Sequence, residues 1–270
     1  GKTTFAAALA RSVATGQPFA GEPVEKMPVI YLTEQTEEVF RVSLNFVRMP
    51  EEGYDNLAVL CWYKARGYSW PEIMASAVEK AQSMKSKLIV IDTLSQFAFL
   101  GPEEEKDKGA ALRAMQPLQY AAGLGLSVLS VRHERKEGGN LAVIGSGSIG
   151  FSQAVDWMIG IKRTPGNRPT IRELEFLGRF GNVDNRLIEW KNDQYILLDD
   201  NDLPIERAKQ AIMHGVPVKG ILAQDLTIEG FSDSTTRRAL RFLISEGTIM
   251  RLGRGVRADP YLYRPRTVNE

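Results

Sequence analysis

Residues 87–93 read Lys-Leu-Ile-Val-Ile-Asp-Thr, and this stretch decides the fold. The four residues at 88–91 are all apolar, without the alternation of polar and apolar side chains that marks a half-exposed strand. A strand of this kind is covered on both faces, as are the strands of a parallel sheet. The stretch therefore predicts a strand inside a parallel sheet, with Asp92 at its carboxyl end.

Similar apolar runs alternate with helical patterns through the first 160 residues. Strands that alternate with helices predict a doubly wound α/β fold. Thr36 and Ser69 are suited to cap two of the helices. The predicted strands lie at 28–33, 57–62, 87–92 and 127–132, and the predicted helices at 37–46, 70–85 and 108–123.

From residue 156 to 198 the chain has strand patterns without helices between them. We expect antiparallel strands here that extend one edge of the parallel sheet. The acidic stretch at 199–202 then predicts a boundary between a core of residues 1–200 and a C-terminal domain of residues 201–270, although it also suits a plain loop. The four strand patterns cover 157–162, 170–177, 185–190 and 194–198.

The chain opens with Gly1-Lys2-Thr3-Thr4, followed by Phe-Ala-Ala-Ala-Leu-Ala, which is an apolar helical pattern. This has the form of the end of a Walker A phosphate loop. In such a loop, amides at a helix N-terminus face the phosphates, the lysine reaches the β and γ oxygens, and the threonine hydroxyl binds Mg²⁺. Four residues are a weak match alone. Asp92 strengthens it, because a carboxylate at the same sheet edge completes a site for ATP and Mg²⁺, unless it only caps a helix.

Two further strand candidates end in residues suited to hydrolysis. The run at 29–33 is followed by Glu34, which either orients or deprotonates an attacking water or caps the next helix. The run at 127–132 is followed by His133, which either senses the γ-phosphate or is simply solvated. Because parallel strands end at one edge of a sheet, we expect these side chains to share the edge that carries Asp92.

The order of these motifs resembles that of the RecA-superfamily ATPases. A strand ending in Glu34, one ending in Asp92 and one ending in His133 follow the phosphate loop, and Ser-Gly-Ser-Ile at 146–149 comes next. The resemblance covers residues 1–198. It is closest to the RepA-type hexameric replicative helicases and their AAA_25-like relatives.

The resemblance implies a role for each matching residue. Lys2 and Thr3 are implied to contact phosphate and Mg²⁺, and Asp92 to bind Mg²⁺. Glu34 is implied to act as acid or base, and His133 as γ-phosphate sensor. The family's loop also has a strand and glycines ahead of this point, so we expect residues 1–270 alone to bind ATP poorly.

The sequence departs from the family pattern at two places. The family's glutamate often lies one residue later, where this chain has Gln35. The arginine finger of the RepA helicase falls at Asp156, which cannot take that role. The remaining candidates are Lys162, Arg163 and Arg179, of which Arg179 is our first choice, although each also suits an ordinary solvated position.

The segment 134–150 contains five glycines. Such a loop lets a backbone approach a ligand closely, although it also suits a flexible surface loop. In RecA-like rings the corresponding loop lines the central channel. The resemblance therefore implies that Arg135, Lys136 and Asn140 contact single-stranded nucleic acid.

Residues 204–266 predict three helices followed by a hairpin, which resembles a winged helix-turn-helix. The middle helix is predicted around 218–226 and the third between Ser232 and Gly247. In this reading the third helix enters the major groove of duplex DNA, and the turn between the strands forms a basic wing. Winged helices also bind proteins, and fold alone does not decide between the two. The expected DNA contacts are Ser234, Thr235, Arg237, Arg238, Arg241 and Arg254.

Charge and composition agree with these predictions. Residues 231–270 carry a net charge of +4 and the remainder −3, so a polyanion contact is expected at the C-terminal end. The longest apolar runs fall short of a membrane span, which predicts no membrane partner. The one cysteine, Cys61, precludes a disulfide within the chain and fits a reducing cytoplasm.

These observations predict an enzyme, an ATP-hydrolysing motor on nucleic acid that works as a hexameric ring with the active site between subunits. A protein of another class remains open, an ATP-gated DNA-binding regulator of replication that does not unwind DNA. A structural relic of an ATPase is the weakest possibility.

Overall fold

The computed structural model describes residues 1–132, 149–163, 169–179, 185–198, 203–223, 225–256 and 258–266. His133, Arg135, Lys136 and Asn140 lie outside these ranges, as does the predicted boundary at 199–202. The chain forms two compact units. The first unit comprises Gly1–Ile161, Leu174–Asn185 and Trp190–Ile196, and the second comprises Lys162–Glu173, Arg186–Glu189 and Leu197–Glu270. The division into residues 1–200 and 201–270 stays a prediction.

The first unit begins with alternating helices and strands, as predicted. Strands β1 to β4 form a parallel sheet in the order β2-β1-β3-β4. The elements are α1 (Lys2–Thr15), β1 (Val29–Thr33), α2 (Glu37–Phe46), α3 (Glu51–Tyr54), β2 (Leu57–Cys61), a 3₁₀ turn (Trp62–Ala65), α4 (Trp70–Met84), β3 (Leu88–Asp92), α5 (Leu94–Phe97), α6 (Lys108–Gly123), β4 (Ser127–Val131) and α7 (Ile149–Gln153).

The two central strands of this sheet, β1 and β3, are buried at every position. Alternate residues face opposite sides of the sheet. Ile89 and Ile91 pack in a core with residues of α4 and α6, whereas Tyr31 and Val90 pack in a second core with residues of α1 and α2. Helices therefore cover both faces, and the predicted doubly wound α/β fold is confirmed.

Four further strands form a second sheet in the order β5-β6-β7-β8. The predicted strands are found, but the expectation that they extend the edge of the parallel sheet is wrong. Each strand lies beside the next one along the chain, and only Asn192 and Asp193 join β7 to β8, both with positive φ as in a tight hairpin turn. Local pairing thus satisfies these strands in a sheet of their own. They are β5 (Trp157–Lys162), β6 (Ile171–Gly178), β7 (Arg186–Lys191) and β8 (Gln194–Leu197).

The second unit ends with α8 (Leu203–Gly215), β9 (Ile221–Leu222), α9 (Asp233–Ser245), β10 (Ile249–Leu252) and β11 (Leu262–Pro265). The three strands form an antiparallel sheet in the order β10-β11-β9. The side chains between α8, α9 and this sheet form one apolar core.

The helix predicted around 218–226 is not present among the described residues of this segment, of which Ile221 and Leu222 form β9. Pro217 precedes a turn in which Gly220 has a φ of 92°. Ile221 and Leu222 then pair with β11. The left-handed conformation of Gly220 is incompatible with a continuous helix. The apolar residues that follow it pair with β11 instead. Within the described residues, no helix has the length and apolar character needed to cross a membrane.

Candidate active site

The N-terminus of α1 provides the first part of the site. The helix begins at Lys2 with Gly1 as its N-cap, and its first turn contains no acidic side chain. The amides of a first helical turn carry partial positive charge and attract phosphate. Ala6 and Ala10 are buried against the sheet, so the helix lies close to the strands. The predicted phosphate-binding residues Gly1, Lys2, Thr3 and Thr4 are therefore gathered on one helical turn that is suited to an anion.

Thr3 and Asp92 meet across 89 positions of sequence. The Thr3 Oγ1 hydroxyl lies 3.4 Å from Asp92 Oδ1 and donates to it. Asp92 is the last residue of β3, and only 2% of its surface is exposed. A hydroxyl and a carboxylate side by side are oxygen ligands of the kind that Mg²⁺ takes together with nucleotide phosphates. The residues predicted to bind the metal are thus in contact with each other.

Tyr31 contacts the other oxygen of the same carboxylate. Its hydroxyl donates to Asp92 Oδ2 at 3.2 Å, and the side chain is fully buried in β1. Burial, and then the negative charge of Asp92 and the hydrogen bond to it, raise the pKa of Tyr31 well above its usual value of 10.0. The phenol therefore remains protonated and donates. Tyr31 was not predicted from the sequence as a site residue, and its only signal was a polar tip within an otherwise apolar strand.

Glu34 follows β1 directly and lies beside the end of β3. Its amide donates to the Asp92 carbonyl at 2.7 Å, and its Oε2 accepts a hydrogen bond from Thr93 Oγ1 at 2.8 Å. The side chain is otherwise exposed. Gln35 is engaged elsewhere, because its Oε1 accepts from Ser43 of α2 at 3.0 Å. The carboxylate at position 34, rather than the amide at position 35, is thus the group held next to the end of β3.

The donor set fits Mg²⁺ as a shared ligand of protein and nucleotide. Within the described ranges, no group of three or more His, Cys, Asp and Glu side chains is placed to hold a metal ion. Mg²⁺ is bound in many nucleotide sites by one or two side chains, several waters and the phosphates. Thr3 and Asp92 supply two such side chains, so the site does not require a preformed cage.

Arg179 lies at the end of β6 and is held by neighbours in the first unit. It donates to the Gln153 carbonyl at 2.7 Å, and its guanidinium lies 3.7 Å from Asp156 Oδ1. About half of the side chain, 52%, is exposed. Arg179 therefore adjoins the position at which the resemblance places a finger, and its charge faces Asp156. The other two candidates, Lys162 and Arg163, belong to the second unit: Lys162 is the partly buried last residue of β5, and Arg163 follows it and is exposed.

Arg132 makes a contact that the sequence did not signal. Its guanidinium lies 3.5 Å from the centroid of the Phe151 ring, and Phe151 is buried in α7. This is a cation–π contact, which is strong when it is shielded from water. The contact joins the end of β4, which immediately precedes the segment that contains His133, to α7, which follows that segment.

In the second unit, α9 carries most of the predicted nucleic-acid residues. Its N-cap is Ser232, whose Oγ accepts from the Thr235 amide at 3.2 Å. The exposed predicted contacts on the helix are Ser234, Arg237, Arg238 and Arg241.

Between β10 and β11, Arg254 is exposed in a turn. Arg251 stacks on Tyr261 at 4.7 Å. The arginines on α9 and in this turn are thus accessible to solvent, as a contact with a polyanion requires.

Comparison with known proteins identifies the family and the fold of this chain. A family model described as an AAA domain, AAA_25, matches residues 1–139. The fold is similar to that of the KaiC-like protein from the hyperthermophilic archaeon Pyrococcus horikoshii OT3, with a TM-score of 0.50 and 14% sequence identity over 74% of this chain and 84% of that one. At this identity the likeness concerns the fold alone. Among curated protein sequences, none matches the chain significantly. The family match and the RecA-like fold lead to one conclusion: the chain belongs to the AAA domain family AAA_25 and is a P-loop ATPase.

Proposed function

We propose that the protein is a nucleic-acid-dependent motor that hydrolyses ATP, of the RepA-like hexameric replicative helicase type. The observation that carries the proposal is the contact of Thr3 with Asp92 at 3.4 Å, beside the N-terminus of α1 and next to Glu34. A P-loop with a carboxylate at each of two neighbouring strand ends is the arrangement that positions phosphate, metal and water for phosphoryl transfer.

Each of these residues has a task in hydrolysis. Lys2 and the amides of the first turn of α1 bind the β and γ phosphates. Mg²⁺ bound by Thr3 and Asp92 would neutralise charge on the phosphate oxygens. Glu34 accepts a proton from the attacking water, and the Thr93 hydroxyl holds one of its oxygens in place. Because its side chain is exposed, Glu34 has access to water.

For the C-terminal part we propose a winged helix that binds duplex DNA. The support is topological: helix α8, strand β9, helix α9 and the β10–β11 hairpin follow in order, and β11 lies between the other two strands. The exposed arginines of α9 suit the major groove, and Arg254 in the turn suits phosphate. Arg135, Lys136 and Asn140 are proposed to contact single-stranded DNA in the channel of the ring.

We place the active site between subunits of a hexamer, with Arg179 as the finger that reaches the γ-phosphate of the next subunit and Arg163 as the alternative. Mixing Lys2→Ala protein with Arg179→Ala protein tests this directly. Each variant is inactive alone, but mixed rings contain interfaces with one intact phosphate loop and one intact finger. Recovery of ATP hydrolysis on mixing supports a finger in trans. An Arg179→Ala protein that is active alone, together with an Arg163→Ala protein that is inactive alone and recovers on mixing with Lys2→Ala, moves the role to Arg163.

The second candidate is an ATP-gated DNA-binding regulator of replication without unwinding activity. The contact of Arg179 with Asp156 favours it, because a finger paired with a carboxylate has its charge partly neutralised. Strand displacement on a forked duplex separates the two functions. A motor shows ATP turnover that single-stranded DNA stimulates, together with displacement. A regulator binds a particular duplex sequence in an ATP-dependent manner and displaces nothing.

A further inference from the structure

Asp92 has two carboxylate oxygens, and the structure gives them different neighbours. Oδ2 accepts from Tyr31 and Oδ1 from Thr3. Thr3 belongs to the phosphate helix and is partly exposed, whereas Tyr31 is fully buried below the site. The two neighbours therefore lie on different sides of the carboxylate, one toward the ligand and one toward the core.

The ring of Tyr31 is held by packing against other buried side chains. It packs against Phe40 of α2, with the ring centroids 4.6 Å apart, and both side chains lie in the apolar core between the sheet and α1 and α2. Tyr31 also stands in a central strand that pairs with β2 on one side and β3 on the other. Its hydroxyl thus has little freedom, and water does not compete for the hydrogen bond to Asp92.

We propose that Tyr31 is a positioning residue for the metal site: it holds Asp92 Oδ2 and thereby presents Oδ1 toward Thr3 and the Mg²⁺ of the nucleotide. A hydrogen bond to the far oxygen of a ligating carboxylate fixes the rotation of the carboxylate. Mutation of such a hydrogen-bond partner typically lowers metal affinity or activity by about 10- to 100-fold. The inference rests on the proposed ATP and Mg²⁺ site.

The alternative is that Tyr31 is only a packed side chain whose hydroxyl happens to be satisfied. Tyr31→Phe keeps the ring and removes the hydroxyl, so it separates the two. A matched control is Ser86→Ala, because the Ser86 hydroxyl is also buried and donates to the Leu88 carbonyl at 3.1 Å, at the opposite end of β3. Both variants lose one buried hydroxyl next to the same strand.

The experiment measures binding of Mn²⁺, as a spectroscopic substitute for Mg²⁺, to the full-length protein with a non-hydrolysable ATP analogue, by electron paramagnetic resonance. We expect Tyr31→Phe to weaken Mn²⁺ binding about 10-fold, while Ser86→Ala matches the wild type. In an Asp92→Asn background, Tyr31→Phe should have no further effect, because its partner is already altered. A 3-fluorotyrosine at position 31 retains the hydroxyl and should retain wild-type affinity.

Three outcomes overturn the proposal. Wild-type Mn²⁺ affinity in Tyr31→Phe shows that the hydroxyl does not position the ligand. An equal loss of Mn²⁺ affinity in Tyr31→Phe and Ser86→Ala shows that the effect is general destabilisation. If Tyr31→Phe weakens Mn²⁺ binding as much in the Asp92→Asn background as in the wild type, Tyr31 does not act through Asp92. Absence of analogue-dependent Mn²⁺ binding in the wild type refutes the proposed ATP and Mg²⁺ site itself, which is a different failure.

Discussion

Helix α1, which carries the proposed phosphate site, is joined to the turn of the β7–β8 hairpin by the side chain of Arg11. Arg11 of α1 is 94% buried, with 6% of its surface exposed. Its guanidinium donates to the carbonyl oxygens of Val47, which follows α2, and of Asp193 at the hairpin turn, both at 2.8 Å. One side chain thus joins three elements. Arg11→Met removes both hydrogen bonds and keeps most of the aliphatic stem.

The expected decrease in the free energy of unfolding of Arg11→Met follows from these contacts. A hydrogen bond from a charged group contributes about 1.5–3 kcal/mol, so two of them contribute about 3–6 kcal/mol. Two effects offset part of this sum. Met does not bury a charge, and it removes the Arg11 Nε, which is buried without a hydrogen-bond partner among the described residues. Burial also lowers the pKa of the Arg11 guanidinium, a direct sign of that penalty. We expect Arg11→Met to lower the free energy of unfolding by about 3 kcal/mol.

Arg48 provides the matched control. It forms an ion pair with the Asp193 carboxylate at 2.8 Å, but 76% of its side chain is exposed. Exposed ion pairs contribute about 0–1 kcal/mol. Arg11→Met and Arg48→Met therefore each remove a cationic side chain that contacts Asp193, but Arg11 is buried and Arg48 is exposed. At about 2–4 °C per kcal/mol, the first should lower Tm by about 6–12 °C and the second by less than about 4 °C.

The assay is urea unfolding followed by tryptophan fluorescence, because the protein's four tryptophans all belong to the first unit and Trp190 of the hairpin stacks on Phe46. Equal destabilisation by Arg11→Met and Arg48→Met would refute the argument that burial sets the magnitude. A negligible effect of Arg11→Met would show that the hairpin does not brace α1.

Three other predictions concern catalysis, a helix cap and DNA binding. Glu34→Gln should reduce ATP turnover about 100-fold or more while nucleotide binding persists, measured by steady-state kinetics and calorimetry, and near-normal turnover would exclude Glu34 as the base. The Ser69 hydroxyl and amide donate to Glu72 and lower its pKa below 4.5, so this carboxylate stabilises α4 above that pH and the contribution is lost as the pH falls through the lowered value. Ser69→Ala should therefore flatten the acid limb of a stability–pH curve, and an unchanged limb would contradict the capping argument. Arg237→Ala should reduce the slope of log K against log salt for duplex DNA by about 0.9, and an unchanged slope would remove Arg237 from the interface.

Much of the fold follows from local patterns in the sequence. The apolar run at 88–91 predicts a buried parallel strand, and β3 is buried throughout. Ser69 predicts the start of α4, and the structure has a capping box of Ser69 and Glu72 there. Such signals are readable because the residues that interact lie within one element or at its end.

The features that the sequence did not signal depend on partners far along the chain. The bond from Tyr31 to Asp92 spans 61 positions, and that from Arg11 to Asp193 spans 182. Strand β9 has two residues, too few for a period, so its apolar side chains are indistinguishable from a short helical stripe. Pro217 and Gly220 were the available warning against a helix.

Hydrolysis of ATP at the N-terminus of α1 can be tested by measuring turnover by the full-length protein and by its Lys2→Ala variant, each with and without single-stranded DNA. We predict Mg²⁺-dependent turnover in the wild type, stimulated by DNA, and its loss in Lys2→Ala. Turnover that survives Lys2→Ala unchanged would contradict the assignment of the phosphate site.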